Sequence, residues 1–177
     1  AFDNAVDAGY AYMTCQWVHL AKGNYEAVLA LKEKALGAYQ KAFSLHGYVY
    51  SCLAVSLSYA FMGQWDAAVK EGERALKVAE EHSDASLASF ATCSLCNAHN
   101  VSGDTAKALE FAHQAVEKAS SPNDHLWGRV FLGRTLCHSG EVEKGLDYLD
   151  VAVQEFRKAS ADVTLVAFSA MLVEGYW

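Results

Sequence analysis

Proline is nearly missing: Pro122 stands alone in a chain of 177 residues. Its ring fixes φ and removes a backbone donor, so its scarcity leaves long stretches where helices run unbroken. Twelve glycines are enough to turn the chain between them. Lys and Arg cluster nowhere and the net charge is −7, so the surface that displaces counterions from nucleic acid is lacking, and neither DNA nor RNA is expected as a partner. Cysteine occurs five times, an odd number scattered along the chain with no apolar leader ahead of it. That argues against a disulfide-framed secreted fold and for a reducing cytoplasm. From Ala42 to Trp65 there is no Asp, Glu, Lys or Arg, and a bilayer span needs about 20 mainly apolar residues. Ser44, His46, Gly47, Ser51, Ser56, Ser58 and Gln64 interrupt the run, which therefore reads as a buried helix and not as a membrane span. No glycine-framed serine or cysteine and no phosphate loop is present, so the sequence predicts no enzyme and no cofactor.

What is present repeats. Gly23, Gly63, Gly103 and Gly140 lie 40, 40 and 37 residues apart, and their surroundings fall into register. Six residues past each stand Leu29, Val69, Leu109 and Leu146; twelve past, Ala35, Ala75, Ala115 and Ala152; thirteen past, Leu36, Leu76, Val116 and Val153. These offsets keep one face of a helix apolar. Directly after each glycine comes Asn24, Gln64, Asp104 or Glu141, polar residues suited to a helix start, while the glycine suits the left-handed position that closes the helix before it. The unit is helix, glycine turn, helix. Ser83, Ser121 and Pro122 mark the linkers between units.

Charge separates the two helices of a unit. Residues 46–62 and 85–102 carry no Asp, Glu, Lys or Arg, whereas the helices that follow the glycines are dense in them. A charge-free helix needs protein on most sides, as in a stack where each pair is covered by its neighbours. The charged helices face water, with Asp66–Lys70 and Glu73–Lys77 at ion-pair spacing.

The pattern resembles the tetratricopeptide repeat. The matching residues are Leu132-Gly133 and Tyr59 in first helices, Gly63 with Trp65 or Gly23 with Tyr25 at the turn, and Ala68, Ala108 and the Ala35-to-Ala152 series in second helices. Gln16 and Val28 depart from it, standing where small residues are expected. The resemblance implies an all-α, right-handed superhelical solenoid of antiparallel helix pairs. Its repeats cover about 4–43, 46–82, 84–119 and 123–158, followed by a closing helix over 160–177, all in one domain. A period near 40 exceeds the family norm and is similar to repeats attached to bacterial ATPase-type regulators and nucleotide cyclases. The chain starts Ala1-Phe2-Asp3 and stops at Trp177 within a helical pattern, so it reads as a fragment of a larger protein.

Thirteen residues before each glycine stand Tyr10, Tyr50, Phe90 and Trp127. The resemblance puts this part of the first helix on the concave groove that receives a partner peptide, where rings bring large area with few rotors; packing between units is the other reading. Along the same face follow Met13, Trp17, Leu53, Leu57, Cys93, Asn97, Val130 and Arg134, with Phe61 and His138 nearer the turns. The expectation is an apolar groove with a polar end, in which Arg134 could anchor a carboxylate. A carboxylate clamp for chaperone tails is not matched. Cys93, Cys96 and His99 step by three around a helix, which suits core packing better than zinc and leaves no metal site expected; His19 and His99 read as hydrogen-bonded packing residues. The function predicted is a non-catalytic scaffold binding an apolar peptide or helix, from another protein or from the parent. The alternative is a domain sensing a small molecule or short peptide for a larger bacterial ATPase, cyclase or transcription activator.

Overall fold

The computed structural model describes residues 4–158, and the predicted closing helix lies outside them. Among the described residues there are helices only: α1 (Ala5–Ala21), α2 (Tyr25–Lys41), α3 (Leu45–Phe61), α4 (Trp65–Glu81), α5 (Ala85–Ser102), α6 (Thr105–Lys118), α7 (Pro122–His138) and α8 (Val142–Lys158). None is long and apolar enough to cross a membrane. Each glycine of the repeat is left-handed, with φ from 70° at Gly23 to 92° at Gly140, a conformation without penalty only where no Cβ is present. Side chains of Asn24, Ser44, Asp84, Asp104 and Ser121 accept the free amides at the starts of their helices. Gln64, one methylene longer than asparagine, makes no such bond.

Successive helices pack as pairs, and the first helices also touch one another, α1 on α3, α3 on α5 and α5 on α7. They form the inner layer: α5 is buried over nearly its whole length, while α4 and α6 bury only a stripe. Ala35, Ala75, Ala115 and Ala152 are all fully buried, at positions where a larger side chain would hold the helices apart. A close contact that recurs in three of the pairs joins the residue seven before the glycine to the one five after it. At Gly133 an added Cβ would lie 2.8 Å from the Gly145 carbonyl, and Ser56 donates its hydroxyl to the Ala68 carbonyl at 2.8 Å. Gln16 solves the same contact differently. It is fully buried, donates to the Val28 carbonyl and accepts from the Ser51 hydroxyl at 2.8 Å. The departure from small residues in the first pair is thus filled by an amide that also ties that pair to the second.

The charged helices are less uniformly wet than their composition suggests. Within α4 the ion pairs are Glu71–Arg74 and Lys77–Glu81, not the expected Asp66–Lys70 and Glu73–Lys77, and Glu80 meets Lys118 of α6 at 3.0 Å. Glu71 is 8% exposed and meets Lys32 of α2 at 2.6 Å. Lys32 also lies 5.9 Å from the Tyr59 ring centroid. A charge pair between neighbouring units thus supplements the apolar contacts.

Two more turns use a left-handed residue, and neither is glycine: Phe43 at φ 52° and Ser83 at φ 55°. Phe43 is 96% exposed, so its ring recovers nothing for the strain. Left-handed geometry costs an ordinary residue about 1–2 kcal/mol, of which glycine's greater freedom in the unfolded chain gives back about 1. Phe43→Gly is therefore expected to stabilise the fold by about 0.5–1 kcal/mol in equilibrium denaturation. A loss of stability would show that the ring makes contacts that outweigh the strain.

Candidate functional site

The inner layer carries a continuous band of rings. Trp17 of α1 lies 6.4 Å from Tyr50 of α3, Tyr50 5.3 Å from Phe90 of α5, Phe90 5.3 Å from Trp127 of α7, and Trp127 6.4 Å from Phe131. Trp17–Tyr50 and Tyr50–Phe90 are tilted by 57° and 47°, and Phe90–Trp127 meets edge to face at 62°, the last being an arrangement the ring quadrupoles favour. Phe90 is buried, and Trp17, Tyr50 and Trp127 are half-buried. The band is the floor of a shallow, open apolar cleft with a cavity volume of only about 20 Å³. Leu53, Leu57 and Cys93 complete it, with Ser94 as its one aliphatic hydroxyl. Floor and core are therefore one structure: the inner edges of the rings hold adjacent units together, and the outer faces of three of them remain reachable.

The other residues drawn from the sequence lie elsewhere. Tyr10 shares its offset from the glycine with Tyr50, Phe90 and Trp127, yet it is half exposed and sits edge-on to Tyr39 of α2 at 6.3 Å. Trp17, two turns further along α1, takes its place in the band. Met13 packs half-buried against the core around Tyr48 and Val49. Phe61 stacks on Tyr25 at 5.5 Å beside the turns, and His138 is exposed at the end of α7. Asn97 is fully buried and Arg134 is 4% exposed; the guanidinium donates to the Asn97 side-chain carbonyl inside the α5–α7 contact. The polar end expected for the groove is therefore turned into an interface between units. Val130 belongs to the core beside Leu149. Phe131 lines the cleft without having been singled out. Its signal was its place four residues after Trp127, on the same face of α7.

His46, Tyr50 and the thiol of Cys93 define the chemistry around the cleft. His46 stacks on Tyr50 at 4.4 Å at one edge. Burial, then the field of Asp124 and of Cys93, pushes the Tyr50 phenol up to about 12, so it stays neutral. Burial pushes the Cys93 thiol well above its ordinary value, and Cys96, despite a 3.2 Å contact with the Thr135 hydroxyl, rises to about 11. Neither is a thiolate at neutral pH, and the thiolate is the reactive form. His99 stacks on Phe111 at 5.4 Å, turned away from both cysteines, with Asp104 3.7 Å from its Nδ1; burial lowers its pKa despite that carboxylate. His19 differs from the packing expected of it, since its buried Nδ1 has no hydrogen-bond partner.

No protein-family profile matches the chain, and no curated protein matches it. Solved structures do. A kinesin light chain from Podosopora anserina with nearly identical TPR-like repeats superposes with a TM-score of 0.59 at 20% identity, over 94% of this chain and 84% of that one. A single-substitution variant of it gives 0.61 at 19% identity, over 99% and 88%. The architecture is that of a TPR-like helical repeat solenoid.

Proposed function

We propose that this solenoid is a non-catalytic interaction module whose inner cleft takes an apolar or amphipathic protein segment, supplied by another chain or by a further part of the same protein. The observation that supports this reading is the run of half-buried rings, Trp17, Tyr50 and Trp127, on the floor of an apolar cleft. Rings in that setting are good anchors: they bring large apolar area at small entropic cost, and their inner edges are already held by neighbours. No acid or base lines the cleft, so a segment laid there meets no unpaired charge.

A random peptide library displayed on phage and panned against the chain tests this. The recovered peptides are expected to carry apolar residues three and four apart, the spacing of one helical face. Their affinity should fall at least ~10-fold for Trp17→Ala, Tyr50→Ala or Trp127→Ala in variants whose circular dichroism is intact. Peptides rich in charge, or captured equally by all three variants, would remove the cleft from the reading.

A further inference from the structure

Nearly every turn between described helices closes in one way. The amide of the residue directly before the next helix reaches back five residues to a carbonyl: Asn24 to His19, Ser44 to Tyr39, Gln64 to Tyr59, Asp84 to Ala79, Asp104 to His99 and Glu141 to Leu136. A left-handed residue stands just before each: Gly23, Phe43, Gly63, Ser83, Gly103 and Gly140. Such a closure fixes the angle between two helices through the backbone itself.

The turn from α6 to α7 has neither feature. Ala119 is extended with ψ 127°, and Ser121 follows at φ −130°, ψ 161°. The cause is local. Pro122 opens α7, and the residue before a proline is driven out of the helical region. The α6 helix stops at Lys118, and this repeat shortens from 40 to 37 residues. What holds the turn is one side chain. The Asp124 carboxylate, 2% exposed, accepts the Ser120 and Ser121 amides and the Ser120 hydroxyl through Oδ2, and the Ser86 hydroxyl of α5 through Oδ1. The Asp124 amide in turn donates to the Ser121 hydroxyl oxygen, completing a capping box.

We infer that the Ala119–Ser121 turn is the hinge of the solenoid, that Asp124 is its latch, and that release of the latch moves Trp127 away from Phe90. Hinges are short stretches that absorb changes of φ and ψ, and a turn closed by side-chain bonds opens without breaking any backbone bond of a helix. The motion has a direction. At the far end of α7, Arg134 is bonded to Asn97 and the Thr135 hydroxyl accepts from Asn100 at 2.7 Å, so the helix pivots there. Its latched end lies about 20 Å away at 1.5 Å per residue. Trp127 stands one turn past Asp124, near that latched end, with Phe90 of α5 5.3 Å away. Opening therefore widens the cleft between its third and fourth units. The importance of that widening for partner binding rests on the reading of the cleft given above; the hinge itself does not.

Two measurements on the unliganded whole chain test the device without reference to any partner. The first is amide hydrogen exchange by NMR, corrected for intrinsic rates. Ser120 and Ser121 are expected to exchange at least ~10-fold faster than Ser44, Asp84, Asp104 and Glu141; equal protection at all the turns overturns the hinge. The second uses 5-fluorotryptophan. Asp124→Asn is expected to shift the ¹⁹F resonance of Trp127 while those of Trp17 and Trp65 stay in place. An unmoved Trp127, or a collapse of all the resonances together, overturns the latch, and the exchange result stands even if that variant folds poorly.

Discussion

Phe90→Ala lowers the unfolding free energy by about 3–5 kcal/mol, the cost of truncating a buried phenylalanine in a core that cannot close over the gap. The ring is 4% exposed and lies between Tyr50 and Trp127, 5.3 Å from each. Favourably arranged aromatic pairs contribute about 0.5–1.5 kcal/mol beyond buried area; here the edge-to-face contact with Trp127 and the tilted one with Tyr50 are lost together. The position adds a second consequence. Stability in a stacked array is approximately a sum of unit and interface contributions, and Phe90 joins the second unit to the fourth across the third. With the ring gone, the two halves are expected to unfold at separate denaturant concentrations, so that far-ultraviolet circular dichroism and tryptophan fluorescence cease to coincide. Equilibrium denaturation in guanidinium followed by both probes checks this. A loss below about 1 kcal/mol with coincident curves would mean that the ring is not held between its neighbours as described.

The prediction turns on a distinction that offsets in the sequence could not make. Counting back from each glycine selects a face of the first helix, and that face proved to be the inner one for Tyr50, Phe90 and Trp127. It does not reveal what stands opposite. Tyr10 has the same offset, but Tyr39 rises from α2 between Gly9 and Gly47, and Tyr10 pairs with it in place of joining the band. Arg134 and Asn97 are both polar residues of the inner helices, and only the contact of α5 with α7 pairs them with one another. Glu71 reads as one more acid on a solvated helix until Lys32, 39 residues earlier, arrives beside it. Backbone conformation was legible where glycine announced it and silent at Phe43 and Ser83, whose left-handed φ is imposed by the packing of the helices on either side. The alanine series was legible because a small residue at a helix crossing has few other uses. Pro122 was visible as a start signal, but its effect on the turn before it emerged only by comparison with the other turns.

Gly47→Ala is expected to cost about 3 kcal/mol, although alanine is the better helix former by about 1 kcal/mol. The reason lies in a slot. Tyr39 is fully buried, and its ring passes between α1 and α3 where Gly9 and Gly47 leave no side chain. A Cβ on Gly9 would lie 2.8 Å from the Tyr39 Cε1, and one on Gly47 would overlap the ring outright. The ring cannot yield toward α1, because Gly9 bounds it there, so α3 must move. Since α3 also carries Tyr50, Leu53 and Leu57 into the cleft, the displacement is passed to the inner layer. A double-mutant cycle isolates the cause. Tyr39→Leu alone destabilises by leaving the slot partly empty, but in its presence Gly47→Ala should cost little, giving a coupling of about 2 kcal/mol between the two positions. Gly37→Ala, where no atom lies within 4 Å of the added carbon, serves as the reference and should stabilise by a few tenths to about 1 kcal/mol. Equal effects at Gly37 and Gly47, or additive effects of Gly47→Ala and Tyr39→Leu, would show that no ring occupies the gap between the first and third helices.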